Sequence, residues 1–268
     1  MKKLFLIALL FMFAVISCGA DEDDETDYES IDDSTLSNDS DSDSDSDTDT
    51  GKNDPVVEEK EACDKERTFK CKTDQTDGTE YSYYCAGNDP YYLYKFEECR
   101  AGCNTSTGKC NPWKDPDTGL TWSSVGIDES PNSGEAFYWD EARKYCNSLE
   151  ENGLTGWRLP NIDELRTLIQ NCPNTEPGGA CKVSEKNGCL SKSECYSSSD
   201  CKCSKDQSGK YSKLGYFSYD LIWSSSTFIG TGVYEGEKKA WYVFFSKATI
   251  DEKGAEYPYI GYVRCVLK

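Results

Sequence analysis

Hydrophobic and polar positions divide the chain into four regimes. Lys2 and Lys3 precede an unbroken apolar run, Leu4 to Ile16. Its thirteen residues suit the core of an export signal and fall short of the roughly 20 needed to cross a bilayer as a helix. After it, apolar residues almost vanish through a tract of Asp and Ser that ends near residue 62. With so little apolar area to bury, this tract cannot offset an ordering cost of roughly 1 to 2 kcal/mol per residue, which predicts a disordered, extended stalk. Residues 63–111 carry aromatic runs, "EYSYYCAGNDPYYLYKF", in a segment too short for a sufficient core of its own. Tyr at these positions fills strands in a disulfide scaffold, or presents ring faces to sugars.

From Pro112 to Lys268 the pattern becomes that of a packed domain, long enough to bury roughly 70% of its unfolded surface. "TGLTW", Thr118 to Trp122, reads as a turn entering a strand. Trp139, Ala142, Cys146 and Leu149 then fall at helical spacing, predicting a first helix that ends by Gly153. In "PNIDELRTLI", Pro160 fixes the entry, Asn161 is an N-cap and Glu164 its reciprocal partner, so a second helix starts here. Ile162, Leu165, Leu168 and Ile169 form its buried stripe. The stretch from Cys172 to Cys203 has no apolar periodicity and is rich in Gly and Ser, predicting a surface loop shaped by disulfides.

Charge and cysteine sharpen these boundaries. The net charge is −20, and residues 19–62 alone hold 19 acidic against 2 basic residues. What remains is nearly balanced and has no basic stripe, which argues against nucleic acid as a partner. There are 15 Cys. One of them, Cys18, ends "VISC" directly after the apolar run, a sequence that resembles the bacterial lipobox and implies cleavage before Cys18 and lipidation of its thiol. Several acyl chains would anchor the protein firmly to a membrane without spanning it. The other 14 split into six before residue 112 and eight after it, and such even, dense groups predict up to seven disulfides in an oxidising compartment. Zinc on Cys201 and Cys203 is the rival use of those thiols, weakened by the absence of any His.

Without His, the usual nucleophile–base arrangements and the usual general base near neutral pH are missing. The carboxylate pairs Asp140–Glu141 and Asp163–Glu164 are adjacent on helices and diverge, and the latter pair is explained by the helix dipole. Arg158 and Arg166 are expected to pair with carboxylates, with an anionic ligand as the other reading. The chain is therefore expected to be no enzyme, to need no cofactor and to hold no metal.

"TGLTW", "WDEARKYC", "GWRLPNIDELRTL", "WSSS" (Trp223 to Ser226), "AWYVFF" (Ala240 to Phe245) and "VRCV" (Val263 to Val266) resemble, in that order, the domain at the C-terminus of the Legionella collagen-like adhesin. The resemblance covers residues 112–268. It implies a C-type-lectin-like fold, α+β, with two helices and a small antiparallel sheet. It also implies that a Cys near the end of the last strand closes the domain onto the first helix. Cys146 on the first helix and Cys265, three residues before Lys268, are the matching pair, and the other six Cys of the domain crowd into Cys172 to Cys203. The Ca²⁺-dependent sugar site of C-type lectins is not supported: only "EPG", Glu176 to Gly178, approaches one of its loops. "RLPNIDELR" is similar to a segment of the formylglycine-generating enzymes, but those use a reactive Cys pair near the C-terminus, where this chain has Cys265 alone.

The expected organisation is a lipoprotein signal peptide (1–17), an anchor at Cys18 with its acidic stalk (18–62), a Cys-rich module (63–111) and a C-type-lectin-like domain (112–268). The expected function is that of an adhesin-like lipoprotein of the bacterial cell envelope, at the outer membrane or cell surface, binding a glycan, a glycosaminoglycan or a surface protein. A structural envelope protein that assembles with other surface proteins is the alternative, and a formylglycine-generating-like enzyme a more distant one.

Overall fold

A computed structural model describes residues 61–64, 67–87, 90–127, 136–203, 210–215, 221–231, 235–255 and 260–268. The signal segment 1–17, Cys18 and the acidic tract to residue 60 lie outside the described residues. All described residues belong to one compact unit, Val57–Lys268.

The first sheet grows from the tyrosine-rich run. β1 (Ala62–Cys63), β2 (Phe69–Thr73), β3 (Glu80–Ala86) and β4 (Tyr91–Glu98) pair antiparallel in the order β1-β4-β3-β2. The β2–β3 turn is held by Asp74, whose Oδ1 accepts the Thr76 N–H at 2.9 Å, and by Gly78 at φ 75°. Alternation sends Tyr84 inward against Phe69 and Phe96, with ring centroids 4.9 and 5.8 Å away. Tyr81 and Tyr83 stay half-exposed beneath Lys95 and Lys72. Cys63–Cys85 ties β1 to β3 within the sheet, and Cys71–Cys103 and Cys99–Cys110 staple the sheet to the hairpin that follows it.

In the next stretch β5 (Trp113–Lys114) turns into β6 (Thr121–Trp122) around Asp115, which accepts the Asp117 N–H and the Thr118 hydroxyl. α1 (Trp139–Ser148) buries Trp139, Ala142 and Cys146 of the expected stripe, while its fourth member, Leu149, is the C-cap and only partly buried. α2 (Ile162–Arg166) has the expected reciprocal cap: Asn161 Oδ1 accepts the Glu164 N–H at 2.8 Å, and Glu164 Oε2 accepts the Asn161 N–H at 2.9 Å. A third short helix, α3 (Lys192–Cys195), precedes the sheet β7 (Leu221–Ile229), β8 (Lys238–Phe244), β9 (Thr249–Gly254), which pair antiparallel in chain order. β10 (Val266–Leu267) returns to β6, completing the order β10-β6-β5. The fold is thus mixed α+β with seven disulfides, and where one sheet and two helices were expected after residue 112 the described residues form two three-stranded sheets and a third helix.

The core has two parts. One runs from Tyr84 and Phe96 of the first sheet through Trp122, Leu165 and Ile222 to Trp241 and Ile250. The other gathers Trp139, Trp157, Trp223 and the Cys146–Cys265 disulfide, which joins α1 to the residue before β10. The first sheet also meets the rest through a buried ion pair. Arg264 Nη2 lies 2.5 Å from Glu97 Oε1, both side chains being 3% exposed. Arg264 Nη1 donates to the Ser123 carbonyl at 2.6 Å, and Glu97 Oε2 accepts the Val125 N–H at 3.0 Å.

The Cys172–Cys203 segment departs from the surface loop expected of it. Cys172, Cys181, Val183, Cys195 and Cys201 are all buried in the larger core, and the disulfides nest: Cys172–Cys203 around Cys181–Cys201, with Cys189–Cys195 inside. Sulfur here fills the volume that periodic aliphatic residues fill elsewhere, so burial leaves no hydropathy signal. The segment also covers the free edge of β9, where the Ile250 N–H donates to the Cys201 carbonyl at 2.8 Å.

Candidate ligand-binding groove

The "RLPNIDELR" stretch, the most site-like in the sequence, is occupied with holding itself together. Arg158 grips Glu164 with both Nη atoms, at 2.7 and 2.6 Å. Burial acts to raise the Glu164 carboxyl, but the hydrogen bonds from Arg158 and the Asn161 N–H outweigh it and hold the group below its ordinary value. Arg166, 3% exposed, spends its guanidinium on the carbonyls of Thr175, Glu176 and Val183 at 2.7 to 2.9 Å. It fixes the disulfide segment to α2. Asp163 accepts the Lys186 N–H, Glu141 caps α1 by accepting the Tyr138 N–H, and Asp140 lies 3.4 Å from Arg143.

The other quoted motifs are structural clasps as well. In "WSSS", Trp223 Nε1 donates to the Phe137 carbonyl, Ser224 Oγ to the Trp241 carbonyl, and the Ser225 N–H to the Pro160 carbonyl. Ser226 Oγ accepts the Ile162 N–H and donates to Glu185. Glu176 of "EPG" accepts the Cys172 N–H at 2.9 Å. Cys201 and Cys203 are both disulfide-bonded, so neither stands as a thiolate ligand in this structure.

One of several concavities among the described residues is a groove of about 230 Å³ between α3 and the end of β7. Ser191, Lys192 and Ser193 form one side, and Phe228, Ile229 and Thr231 the other. Ile229 is 60% exposed, while Phe228 behind it rests on Trp241 at 5.3 Å. Lys192 bonds Glu252 at 2.8 Å and Asp251 at 3.3 Å. Burial acts to lower its pKa, and these two carboxylates outweigh burial and raise it, so the groove carries a firmly protonated ammonium beside an apolar patch. Serine and threonine hydroxyls around that patch both donate and accept. The groove has the ingredients for a polar ligand with an apolar face: contact area, a fixed charge and adaptable hydroxyls.

Residues 112–267 match the family model of the Lcl C-terminal domain. The chain belongs to this family. Searches of curated proteins and of solved structures find no match to it. Within the Lcl domain, each of the six quoted motifs contributes buried core residues, whereas the groove residues lie between the motifs. Ile229 and Lys192 therefore had no motif to mark them. The one signal available was an apolar pair, Phe228 and Ile229, running into Gly230 at the end of a strand. The lysines of the disulfide segment divide: Lys182, Lys186 and Lys202 are exposed, and Lys192 joins the groove.

Proposed function

We propose that the protein is an exported, lipid-anchored surface protein whose Lcl domain binds an extracellular glycan or glycosaminoglycan, in the manner of an adhesin. Membership of the Lcl C-terminal domain family over residues 112–267 is the observation that carries this reading. The groove between α3 and β7 is the proposed contact surface, because its exposed Ile229 and charged Lys192 suit a sugar ring with a polar rim. A C-type-lectin-like architecture is proposed for the same domain. The Cys146–Cys265 bond, which ties the first helix to the end of the chain, supports it. Export and anchoring are proposed from Leu4 to Ile16 and Cys18, and seven disulfides suit the oxidising compartment such export leads to.

A glycan array probed with the soluble secreted form, carrying Cys18→Ser, tests the function. A discrete subset of glycans is expected to bind equally with and without Ca²⁺. A silent array, together with specific capture of envelope proteins in a pull-down, overturns the glycan reading in favour of a structural envelope role.

A further inference from the structure

A second concavity, about 520 Å³ in volume, lies on the seam between the first sheet and α1. Its walls come from the two parts of the chain. Arg67, Ser106, Thr107 and Lys109 stand on the Cys-rich side, and Tyr145, Glu150 and Glu151 on the Lcl side.

Several independent features set it apart from an accidental crevice. Its walls are fixed to each other: the Asn104 amide donates to Asn152 Oδ1 at 2.9 Å, the Asn152 amide donates to Asn111 Oδ1 at 2.7 Å, and the Glu97–Arg264 pair lies buried in the same seam. A binding site held rigid before its ligand arrives loses less freedom on binding. Two of its residues, Arg67 at φ 61° and Asn152 at φ 50°, adopt the left-handed backbone, and for Arg this is a strained conformation of the kind that collects at functional sites. At its floor the Glu151 carboxylate accepts the Ser124 N–H and hydroxyl. Burial pushes the pKa of Glu151 up, with the Ser124 bonds opposing.

The lining selects a chemical class. A polyanion entering the cleft meets Glu150 and Glu151, and a polycation meets Arg67 and Lys109. A purely apolar ligand strips water from hydroxyls and amides without replacing their hydrogen bonds. A hydroxyl-rich neutral molecule satisfies both walls, because each hydroxyl donates to one and accepts from the other. The half-buried edges of Phe69, whose ring lies beneath the Lys109 ammonium at 4.7 Å, and of Tyr145, whose ring packs on Phe137, add apolar lining. The volume falls within the roughly 300 to 1,000 Å³ of small-ligand sites.

We propose that this seam cleft is a binding site for short, neutral oligosaccharides, built jointly by the Cys-rich sheet and the Lcl domain and separate from the α3–β7 groove.

The test is a titration of the isotope-labelled secreted form with maltotriose, cellotriose, chitotriose and mannotriose, followed by amide chemical shifts. At least one probe is expected to give saturable shifts on both walls, at Ser106 and Thr107 as well as Glu150 and Asn152. Thr107→Trp, at an exposed hairpin position where a larger ring fills the cleft, should weaken that probe about tenfold, the equivalent of roughly 1.4 kcal/mol. Glu150→Gln, which conserves shape, should weaken it less and leave the remaining spectrum unchanged. Failure of all four probes to shift both walls overturns the proposal. So does affinity that survives Thr107→Trp but falls in Ile229→Asp, which assigns the sugar to the groove. Preferential binding of a heparin hexasaccharide in the cleft also overturns it.

Discussion

Asn161 and Glu164 show how far a local sequence signal reaches. Three residues apart, they cap each other as their spacing predicts, and Glu164 then takes Arg158 as well. Glu164→Gln keeps the cap and removes the charge. Because Arg158 is 43% exposed, the loss near neutral pH is expected to be only about 1 kcal/mol. The sign of its pH dependence follows from the depressed carboxyl: the stabilisation is present above the ordinary value of 4.5 and is lost as pH falls through the lower folded value. Urea unfolding should therefore separate wild type from Glu164→Gln at neutral pH and bring them together in acid, and a gap that persists in acid contradicts the ion-pair account. Glu97 and Arg264 mark the opposite limit. Their pairing spans 167 residues, and nothing in "YKFEEC" or "VRCV" distinguishes a buried partner from an exposed one. Removing either side of such a pair typically costs about 3 to 5 kcal/mol.

The first two helices were legible at the scale of the element because period and caps are local properties, whereas α3, inside the segment expected to be a loop, was not. α1 buries the 139, 142, 146 stripe, and α2 starts at the residue its cap demands. The Cys172–Cys203 segment was not legible, because its burial depends on which sulfur meets which. Even composition alone leaves that open. Cys146–Cys265 was more accessible, since six of the eight cysteines crowd together and leave these two. Closing 119 residues of chain removes roughly 4 to 5 kcal/mol of unfolded-state entropy in the chain-entropy model. Replacing both with Ala should lower Tm by about 10 °C, whereas replacing Cys189 and Cys195, which close only 6 residues, should lower it far less. Equal losses for the two double variants contradict this ranking.

Across the whole molecule, an acidic N-terminal tract precedes a unit in which a disulfide-stapled sheet and the Lcl domain share one core. A fragment beginning at residue 112 leaves Arg264 without Glu97 and Trp122 without the Tyr84–Phe96 cluster, so binding is best measured with the sheet in place. The proposed anchor has its own test. Cys18→Ser should abolish incorporation of labelled fatty acid in cells and leave an uncleaved or released product, and continued labelling contradicts the lipobox reading. Beyond the Phe228–Ile229 pair the groove left no mark in the sequence, because Lys192 and Ile229 meet only through the pairing of disulfides and strands. The most direct measurement on the central claim is a side-by-side glycan array of the secreted form and its Ile229→Asp variant, both checked for seven intact disulfides. The account predicts a shared set of glycans whose signal falls about tenfold or more in the variant, the neutral oligosaccharides proposed for the seam cleft excepted, as expected for a lost apolar contact and an added repulsive charge. Undiminished binding by Ile229→Asp, or no glycan bound by either protein, contradicts it.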